Sequence, residues 1–115
     1  MLFLGYPPCS TCRRARQWLV ARGLSFTERN IKENPPSYEE LAAWLSLSGK
    51  APRRFFNTSG LLYRELGIKD RLGQMSDEGQ LRALAGNGML VRRPILVLPE
   101  RVLVGFSEKE WEEIL

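Results

Sequence analysis

The chain holds two cysteines, Cys9 and Cys12, and both lie in the stretch "YPPCSTCRRAR". The reactive form of cysteine is the thiolate, and a helix N-terminus or nearby cations lower the pKa of a thiol toward neutrality. The Cys-X-X-Cys spacing also lets the second sulfur reach the first. The pattern therefore predicts thiol–disulfide chemistry, in which Cys12 resolves a mixed disulfide formed on Cys9.

The elements around the pair should place the first cysteine at the start of a helix. The apolar run at residues 2–6 predicts a buried strand, which the following Pro-Pro pair ends. A helix is then expected from a cap at Ser10 or Thr11 to about Arg22, with Gly23 as its left-handed terminator. The backbone N–H groups at the start of this helix favour an anion.

Three arginines, Arg13, Arg14 and Arg16, follow the pair directly. They would lower the pKa of Cys9 further if their side chains point back toward the loop. A second motif, "VRRPILV", places Pro94 at the start of a strand that should face the cysteine loop. Both the cis and the trans form of its peptide bond are open from the residues themselves, and the trans form is the commoner.

Two other interpretations of the cysteine pair compete with redox chemistry. A structural zinc site needs four ligands, and this chain has two Cys and no His, so a site within one chain is disfavoured and one shared between two chains is left open. The pair could also be two unreactive thiols in a helix cap. The absence of histidine excludes Cys-His catalysis, so activation of the thiol has to be electrostatic. We expect no metal site.

The sequence after residue 23 predicts the strand and helix that follow the cysteine loop and its helix. A second strand is expected at residues 24–31, parallel to the first because a helix lies between them. A helix follows with a capping box of Ser37 and Glu40, and it ends at Gly49. The side chains expected to line one side of it are those of Leu41, Trp44, Leu45 and Leu47.

Residues 53–88 are helical in character and divide into several short helices. "PILVLP" and "RVLVGF" predict a β-hairpin, and "SEKEWEEIL" predicts a last helix with a capping box of Ser107 and Glu110. The fold class is therefore α/β: one thioredoxin-like domain over residues 1–115, with a four-stranded mixed sheet, flanking helices and a helical insertion.

Charge and composition limit the function classes. The formal charge of the 115 residues is +4, but residues 107–115 carry four Glu and one Lys, which leaves sixteen basic and nine acidic side chains in residues 1–106. This balance fits an acidic protein surface or an oxyanion, and it lacks the interleaved aromatics of a nucleic-acid site. With no leader and no apolar run of spanning length, we expect a cytoplasmic monomer that contacts neither membrane nor nucleic acid.

The segments "CSTCRRARQWL", "FTERNI", "NPPS", "FFNTSGLLYRELGIKD", "GMLVRRPILV" and "VGFSEKEWEEIL" follow one another as in a known family. Over nearly its whole length the chain resembles the arsenate reductase and Spx-type proteins of the thioredoxin-like superfamily. The resemblance implies that Cys9 is the nucleophile and that the peptide bond before Pro94 is cis.

The resemblance also reveals departures from the family pattern. Glutaredoxin-linked arsenate reductases carry one cysteine in this loop and three arginines that hold the oxyanion. Here Arg93 stands at the position of one of these arginines, whereas Asn57 and Phe106 stand at the positions of the other two. With two of the three guanidinium groups missing, the chain should bind arsenate weakly. The arginines that could compensate by pointing inward are Arg53, Arg54 and Arg92.

We therefore expect a thiol–disulfide oxidoreductase whose catalytic residues are Cys9, Cys12 and Arg93. Its substrate is an oxidised protein or a small thiol compound, with arsenate left open. Glutathione, glutaredoxin or thioredoxin is the expected external reductant, and no bound cofactor is expected. The residues expected to bind the substrate or partner are Pro94, Ser10, Thr11, Arg13 and Asn57. The alternative is an Spx-type redox-sensing regulator that binds the C-terminal domain of the RNA polymerase α subunit.

Overall fold

The computed structural model describes all 115 residues and contains four strands and six α-helices. In chain order these are β1 (Leu2–Gly5), α1 (Ser10–Ala21), β2 (Thr27–Asn30), α2 (Tyr38–Ser48), α3 (Leu61–Glu65), α4 (Ile68–Arg71), α5 (Asp77–Leu84), β3 (Ile95–Val97), β4 (Val102–Val104) and α6 (Glu108–Ile114). Three single turns of 3₁₀-helix lie at Pro52–Phe55, Leu72–Gln74 and Gly88–Leu90.

The four strands form one mixed sheet in the order β2-β1-β3-β4. Strands β1 and β2 are parallel and are joined through α1, whereas β3 runs antiparallel to both β1 and β4. In this register Leu4 of β1 lies between Arg29 of β2 and Ile95 of β3. The mixed sheet, the hairpin and the helical insertion between α2 and β3 confirm the predicted thioredoxin-like fold.

Side chains of the sheet alternate between two hydrophobic clusters, as successive residues of a strand must. Phe3 packs in a cluster with Leu19 of α1 and Trp111 of α6. Leu4 packs in the other cluster, with Trp44 of α2 and Phe55 of the insertion. The sheet is therefore covered on both faces, with α1 and α6 on one side and α2 and the insertion on the other.

The capping box and the C-terminal glycine predicted for α2 are confirmed in the structure. Ser37 Oγ accepts from the Glu40 backbone N–H, and the Glu40 carboxylate accepts from the Ser37 N–H, which completes the capping box. The helix ends at Gly49 with φ 68°, in the left-handed region where glycine avoids a Cβ clash.

Several finer expectations are wrong. The second strand is shorter than residues 24–31, because only Thr27–Asn30 pair with β1. Leu47 is 39% exposed, because it lies off the buried stripe of α2. At α6 the Ser107 hydroxyl accepts from the Glu110 N–H, but the return bond that completes a capping box is missing.

A stretch of twenty or so apolar helical residues would be needed to cross a bilayer. None of the helices of this chain has that length and apolar character.

Candidate functional site

The first cysteine is itself the cap of α1. Cys9 adopts an extended backbone conformation, and its Sγ accepts from the backbone N–H of Cys12 at 3.3 Å. The expected cap at Ser10 or Thr11 is therefore wrong by one or two residues, because the sulfur takes the acceptor role that a hydroxyl usually fills. The Cys9 N–H donates to the Tyr6 carbonyl at 2.9 Å and closes the loop.

The two thiols differ in exposure and in acidity. Cys9 is partly exposed, whereas Cys12 is only 3% exposed. Burial raises the pKa of Cys9, but hydrogen bonds from the Cys12 thiol and backbone and the charge of Arg93 leave the pKa below its ordinary value. Burial and the hydrogen bond to Cys9 raise the pKa of Cys12 to about 12. The pair therefore consists of a partly exposed thiol with a lowered pKa and a buried thiol with a raised pKa.

Arg93 supplies the positive charge beside the pair. Its Nη1 donates to the carbonyls of Met89 at 3.4 Å and Val91 at 3.3 Å, and its guanidinium carbon lies 5.3 Å from the ring centroid of Tyr6. The same charge lowers the pKa of both thiols. Its Nε is buried and has no hydrogen-bond partner within the protein. The side chain is thus held in place from three sides, and its unpartnered Nε is closed off from solvent.

The peptide bond between Arg93 and Pro94 is cis, as the resemblance implies. Pro94 is buried at the start of β3, and its carbonyl accepts from the Gly105 N–H at 2.8 Å. These contacts tie the Arg-Pro turn to the end of β4. Because Arg93 and Pro94 are adjacent, this turn fixes the arginine that acts on the cysteines.

Of the three arginines that follow Cys12, one points back to the loop. Arg13 Nη1 donates to the Pro7 carbonyl at 3.1 Å. Arg16 instead forms an ion pair with Glu28 of β2, and Arg14 is exposed without a hydrogen bond or an ion pair. The condition stated for the three arginines is thus met by Arg13 alone, and the charge that lowers the pKa of Cys9 comes from Arg93.

The remaining predicted site residues lie at different distances from the chemistry. Ser10 is exposed beside Cys9, and the backbone N–H of Thr11 helps to lower the pKa of that thiol. Asn57 lies at a turn, where its N–H donates to the Leu90 carbonyl at 2.8 Å and its side chain packs over Gly60. No hydrogen bond joins Asn57 to the cysteine loop.

Phe106, which stands at a position where the family pattern has an arginine, packs among aromatic side chains. The ring of Phe106 meets Trp111 at 4.8 Å and Trp18 at 6.2 Å between centroids, in both cases edge to face. The three candidates for compensation, Arg53, Arg54 and Arg92, are exposed, and the Arg92 guanidinium lies over Gly105. The structure therefore brings one arginine, Arg93, to the cysteine pair.

Sequence reasoning missed two features of the site. Tyr6 was assigned only to the first strand, whereas its ring supports Arg93 and its carbonyl binds the Cys9 N–H. A groove of about 440 Å³ also opens beside Cys12, between α1 and β2. An aromatic residue directly before a cysteine loop is a weak signal for the first feature, and no local pattern marks the second, which depends on the packing of α1 on the sheet.

Comparisons with known proteins agree with this fold and show its family. The model described as "ArsC family" matches residues 4–114. The uncharacterized protein YusI of Bacillus subtilis is 48% identical over 98% of this chain and 96% of its own length. A global transcriptional regulator Spx of Streptococcus pyogenes is 36% identical over 95% of this chain and 79% of its own length.

Comparison with solved structures supports the same family assignment. The crystal structure of a putative ArsC family related protein from Bacteroides fragilis superposes with a TM-score of 0.95 at 47% identity, and the match covers 99% of this chain and 97% of the other. The family model spans both the cysteine loop and the Arg-Pro turn. The chain therefore belongs to the ArsC family, whose members are related to arsenate reductases and to Spx.

Proposed function

We propose that this protein is a cytoplasmic thiol–disulfide oxidoreductase of the ArsC family, with Cys9 as the nucleophile and Cys12 as the resolving thiol. The observation that carries the proposal is the division of properties within the pair. The exposed sulfur has a lowered pKa, whereas the buried sulfur next to it has a pKa of about 12. An attacking thiol and a resolving thiol need this difference, because only the thiolate reacts.

In the first half of the reaction the Cys9 thiolate attacks one sulfur of an oxidised partner, R–S–S–R′. A bond forms between Cys9 and RS, the partner's S–S bond breaks, and R′S⁻ leaves and takes a proton from water. The Cys12 N–H at 3.3 Å from Sγ and the charge of Arg93 stabilise the thiolate before attack.

In the second half Cys12 attacks the Cys9 sulfur of the mixed disulfide. Cys12 loses its proton in this step, RS⁻ is released and takes up a proton to leave as RSH, and the Cys9–Cys12 disulfide forms. In the reduced protein, the hydrogen bond between the two thiols and the negative charge on Cys9 are two of the causes that raise the pKa of Cys12. Both causes disappear when Cys9 is bound to the substrate, so Cys12 becomes easier to ionise at the step that needs its thiolate.

The surface around Cys9 is suited to an extended sulfur-bearing partner. Arg93 lies beside the cysteine pair just before β3, joined to the buried Pro94, and the exposed residues Ser10 and Arg13 flank the pair from α1. An oxidised protein or a small disulfide is therefore the proposed substrate. Glutathione, glutaredoxin or thioredoxin is the proposed class of external reductant that returns the pair to dithiol form.

Arsenate is a weaker candidate. Charge-assisted hydrogen bonds from several arginines are needed to hold a tetrahedral oxyanion. Here Arg93 is beside the cysteine pair but its unpartnered Nε is buried, whereas the place of Phe106 is filled by aromatic packing and the Asn57 backbone is engaged at its own turn. We therefore expect arsenate reduction to be slow relative to disulfide reduction.

The proposal is tested by trapping the mixed disulfide. In Cys12→Ser the resolving thiol is gone, so oxidised partners should accumulate covalently on Cys9 and be visible on non-reducing gels and by mass spectrometry. Cys9→Ser is the matched control and should trap nothing. If Cys12→Ser also traps nothing from oxidised extracts or from glutathione disulfide, the proposal is wrong.

A second candidate function is redox-dependent binding to the C-terminal domain of the RNA polymerase α subunit. It is supported by the 36% identity to an Spx regulator over 95% of this chain, and by the exposed Arg13 and Arg14 on α1. A disulfide between Cys9 and Cys12 would change the first turn of that helix and thereby its affinity for an acidic surface. A pull-down with the purified domain, using reduced and oxidised protein, tests it; absence of binding in both states removes this candidate.

A further inference from the structure

We propose that four side chains beside the cysteine site, those of Arg14, Trp18, Arg92 and Phe106, form a docking surface for a segment of an oxidised protein. The segment that fits this docking surface carries a carboxylate and an apolar side chain close to its disulfide. The inference rests on the function proposed above, and it selects a protein substrate over a small disulfide.

The docking surface adjoins the Arg-Pro turn at the end of the sheet. The Pro94 carbonyl accepts from the Gly105 N–H at 2.8 Å, so Phe106 directly follows the residue that is bonded to this turn. Arg92 is exposed, and its guanidinium lies over Gly105. The turn also carries the arginine whose charge acts on Cys9. Phe106 and Arg92 therefore lie at the rim of the cysteine site.

The first helix leads from the nucleophile to the same aromatic ring. Ser10, Arg14 and Trp18 follow one another at intervals of four residues, so they lie along one side of α1. Ser10 is the exposed neighbour of Cys9, and the ring centroid of Trp18 lies 6.2 Å from that of Phe106. The stripe on α1 and the Arg-Pro turn thus meet at Phe106.

Phe106 is a partly exposed ring that is fixed by its neighbours. Its edge-to-face contacts with Trp18 and Trp111 hold it from the helix side, and the Arg22 guanidinium covers the Trp18 ring at 4.0 Å. A rigid aromatic side chain loses little conformational entropy when a partner covers it, so it is a favourable anchor for an interface. At a position where the family pattern has an arginine, this chain therefore offers an apolar contact.

The two arginines of the docking surface are available to carboxylates. Arg14 and Arg92 are exposed, and neither side chain takes part in an ion pair within the chain. Close to Phe106, the first turn of α6 carries Glu108, whose charge is balanced by the adjacent Lys109. Guanidinium groups bind carboxylates through parallel hydrogen bonds, so the docking surface favours an acidic partner.

The segments that build the site contain no carboxylate. Residues 1–27, 41–64 and 79–99 carry eleven Arg and Lys side chains and no Asp or Glu. Four of these cations pair with glutamates of other segments, which leaves seven without an ion pair, Arg14 and Arg92 among them. Charge complementarity with an acidic segment raises the rate of encounter and selects the partner.

The docking surface extends farther from Cys9 than a small disulfide reaches. Trp18 lies eight residues along α1 from Ser10, which corresponds to about 12 Å of helix, and Arg14 lies about 6 Å along the same line. An extended peptide advances about 3.3 Å per residue. A carboxylate about two residues from the reacting cysteine therefore meets Arg14, and an apolar side chain about four residues away meets the aromatic pair.

The test measures how fast the reduced protein consumes symmetrical peptide disulfides. In the reference peptide Asp stands two residues and Leu four residues from the cysteine, on both sides. A second peptide has Ser in place of Leu, and a third has Lys in place of Asp. Each rate is divided by the rate of the same disulfide with dithiothreitol, which corrects for the reactivity of the bond. The reference peptide should react about fivefold or more faster than each of the other two.

Variants of the docking surface should remove these preferences one at a time. Phe106→Ser should lower the preference for Leu over Ser about fivefold or more. The double variant Arg14→Gln, Arg92→Gln should lower the preference for Asp over Lys about threefold or more, as should salt at about 0.5 M. Val20→Ser, which removes an apolar side chain that is 54% exposed elsewhere on α1, and Arg101→Gln on the β3–β4 turn are the matched controls and should change neither preference.

Phe106→Leu separates the loss of the apolar contact from a loss of packing. It keeps an apolar side chain at this position and should keep the preference for Leu within about twofold. Urea melts report whether each variant is folded, and the comparison of the three peptides on the unsubstituted protein needs no variant at all.

The outcomes distinguish the docking surface from the function on which it rests. Equal normalised rates for the three peptides would overturn the docking surface and leave the oxidoreductase proposal intact. Preferences that persist in Phe106→Ser and in the double arginine variant would also overturn it, because the partner would then dock elsewhere. A reduced protein that consumes neither the peptides nor hydroxyethyl disulfide would count against the oxidoreductase proposal itself.

Discussion

The difference between the two thiols predicts a strong preference in alkylation. A pKa of about 12 in place of the ordinary 9.0 lowers the thiolate fraction of Cys12 at neutral pH about 1000-fold. Cys9 has a pKa below its ordinary value and is also the exposed sulfur. Because the more basic Cys12 thiolate is intrinsically the stronger nucleophile, which offsets part of this difference, iodoacetamide at pH 7 should modify Cys9 at least about 30 times faster than Cys12 in the reduced, folded protein.

The assay is a time course of alkylation, quenched with acid and analysed by mass spectrometry of the peptide that carries both cysteines. In guanidinium chloride the two thiols should react at similar rates, which controls for the reagent. In Cys9→Ser the pKa of Cys12 should fall, because the hydrogen bond to the Cys9 sulfur and the charge of Cys9 are lost. It should stay above its ordinary value, because Cys12 is still buried. Alkylation of both thiols within tenfold of each other in the folded protein would refute the assignment of roles.

Three further predictions concern one side chain at the site and two that stabilise the fold. Arg93→Gln should raise the pKa of Cys9, seen as a shift of the alkylation rate profile to higher pH, because a positive charge beside the thiolate is removed. Arg29 holds the pKa of Glu40 down at about 2 against an ordinary 4.5, so Glu40→Gln should lower the free energy of unfolding by about 1.5 kcal/mol at pH 7 in urea melts, after allowance for solvent screening. The stabilisation by Glu40 should be complete above pH 4.5 and disappear as the pH falls through about 2, since the folded-state pKa is the lower one. Trp111→Ala should lower the free energy of unfolding by about 3 to 5 kcal/mol, because the side chain is fully buried between α1 and the sheet.

Control variants that remove an equal charge elsewhere distinguish the effects of Arg93→Gln and Glu40→Gln from a change in net charge alone. Arg101→Gln removes an equal charge from the exposed β3–β4 turn and should leave the pKa of Cys9 where it is. Glu112→Gln removes a carboxylate whose partner Arg22 is 43% exposed, and it should change stability by less than about 0.5 kcal/mol. A loss at Glu112 as large as the loss at Glu40 would contradict the account of the partly buried ion pair between Arg29 and Glu40.

The sequence predicts the elements whose signals are local. Ser37 and Glu40 are three residues apart and cap the same helix, so their bond follows from helix geometry. The two apolar runs near the C-terminus are separated by too few residues to form anything but a hairpin. The cysteine pair is a signal of the same kind, because its spacing and its place before a helix can both be read along the chain.

Contacts between distant residues could not be predicted in the same way. Arg16 meets Glu28 on a neighbouring strand rather than the cysteine loop, and no pattern within α1 chooses between these partners. The closeness of Arg93 to Cys9 depends on β3 pairing with β1, across more than eighty residues of chain. The predicted layout placed the start of this strand opposite the cysteine loop, and the resemblance to a known family singled out Arg93 at that place.

The most direct test of the proposed function is a redox titration of the purified protein in glutathione buffers. The state of Cys9 and Cys12 is read by alkylation and mass spectrometry at each potential. We predict an intramolecular disulfide that forms and breaks near the potential of the cytosolic glutathione pool, in a single two-electron transition. A pair that stays reduced throughout, or that oxidises only between chains, would contradict the claim that these two cysteines form a catalytic dithiol.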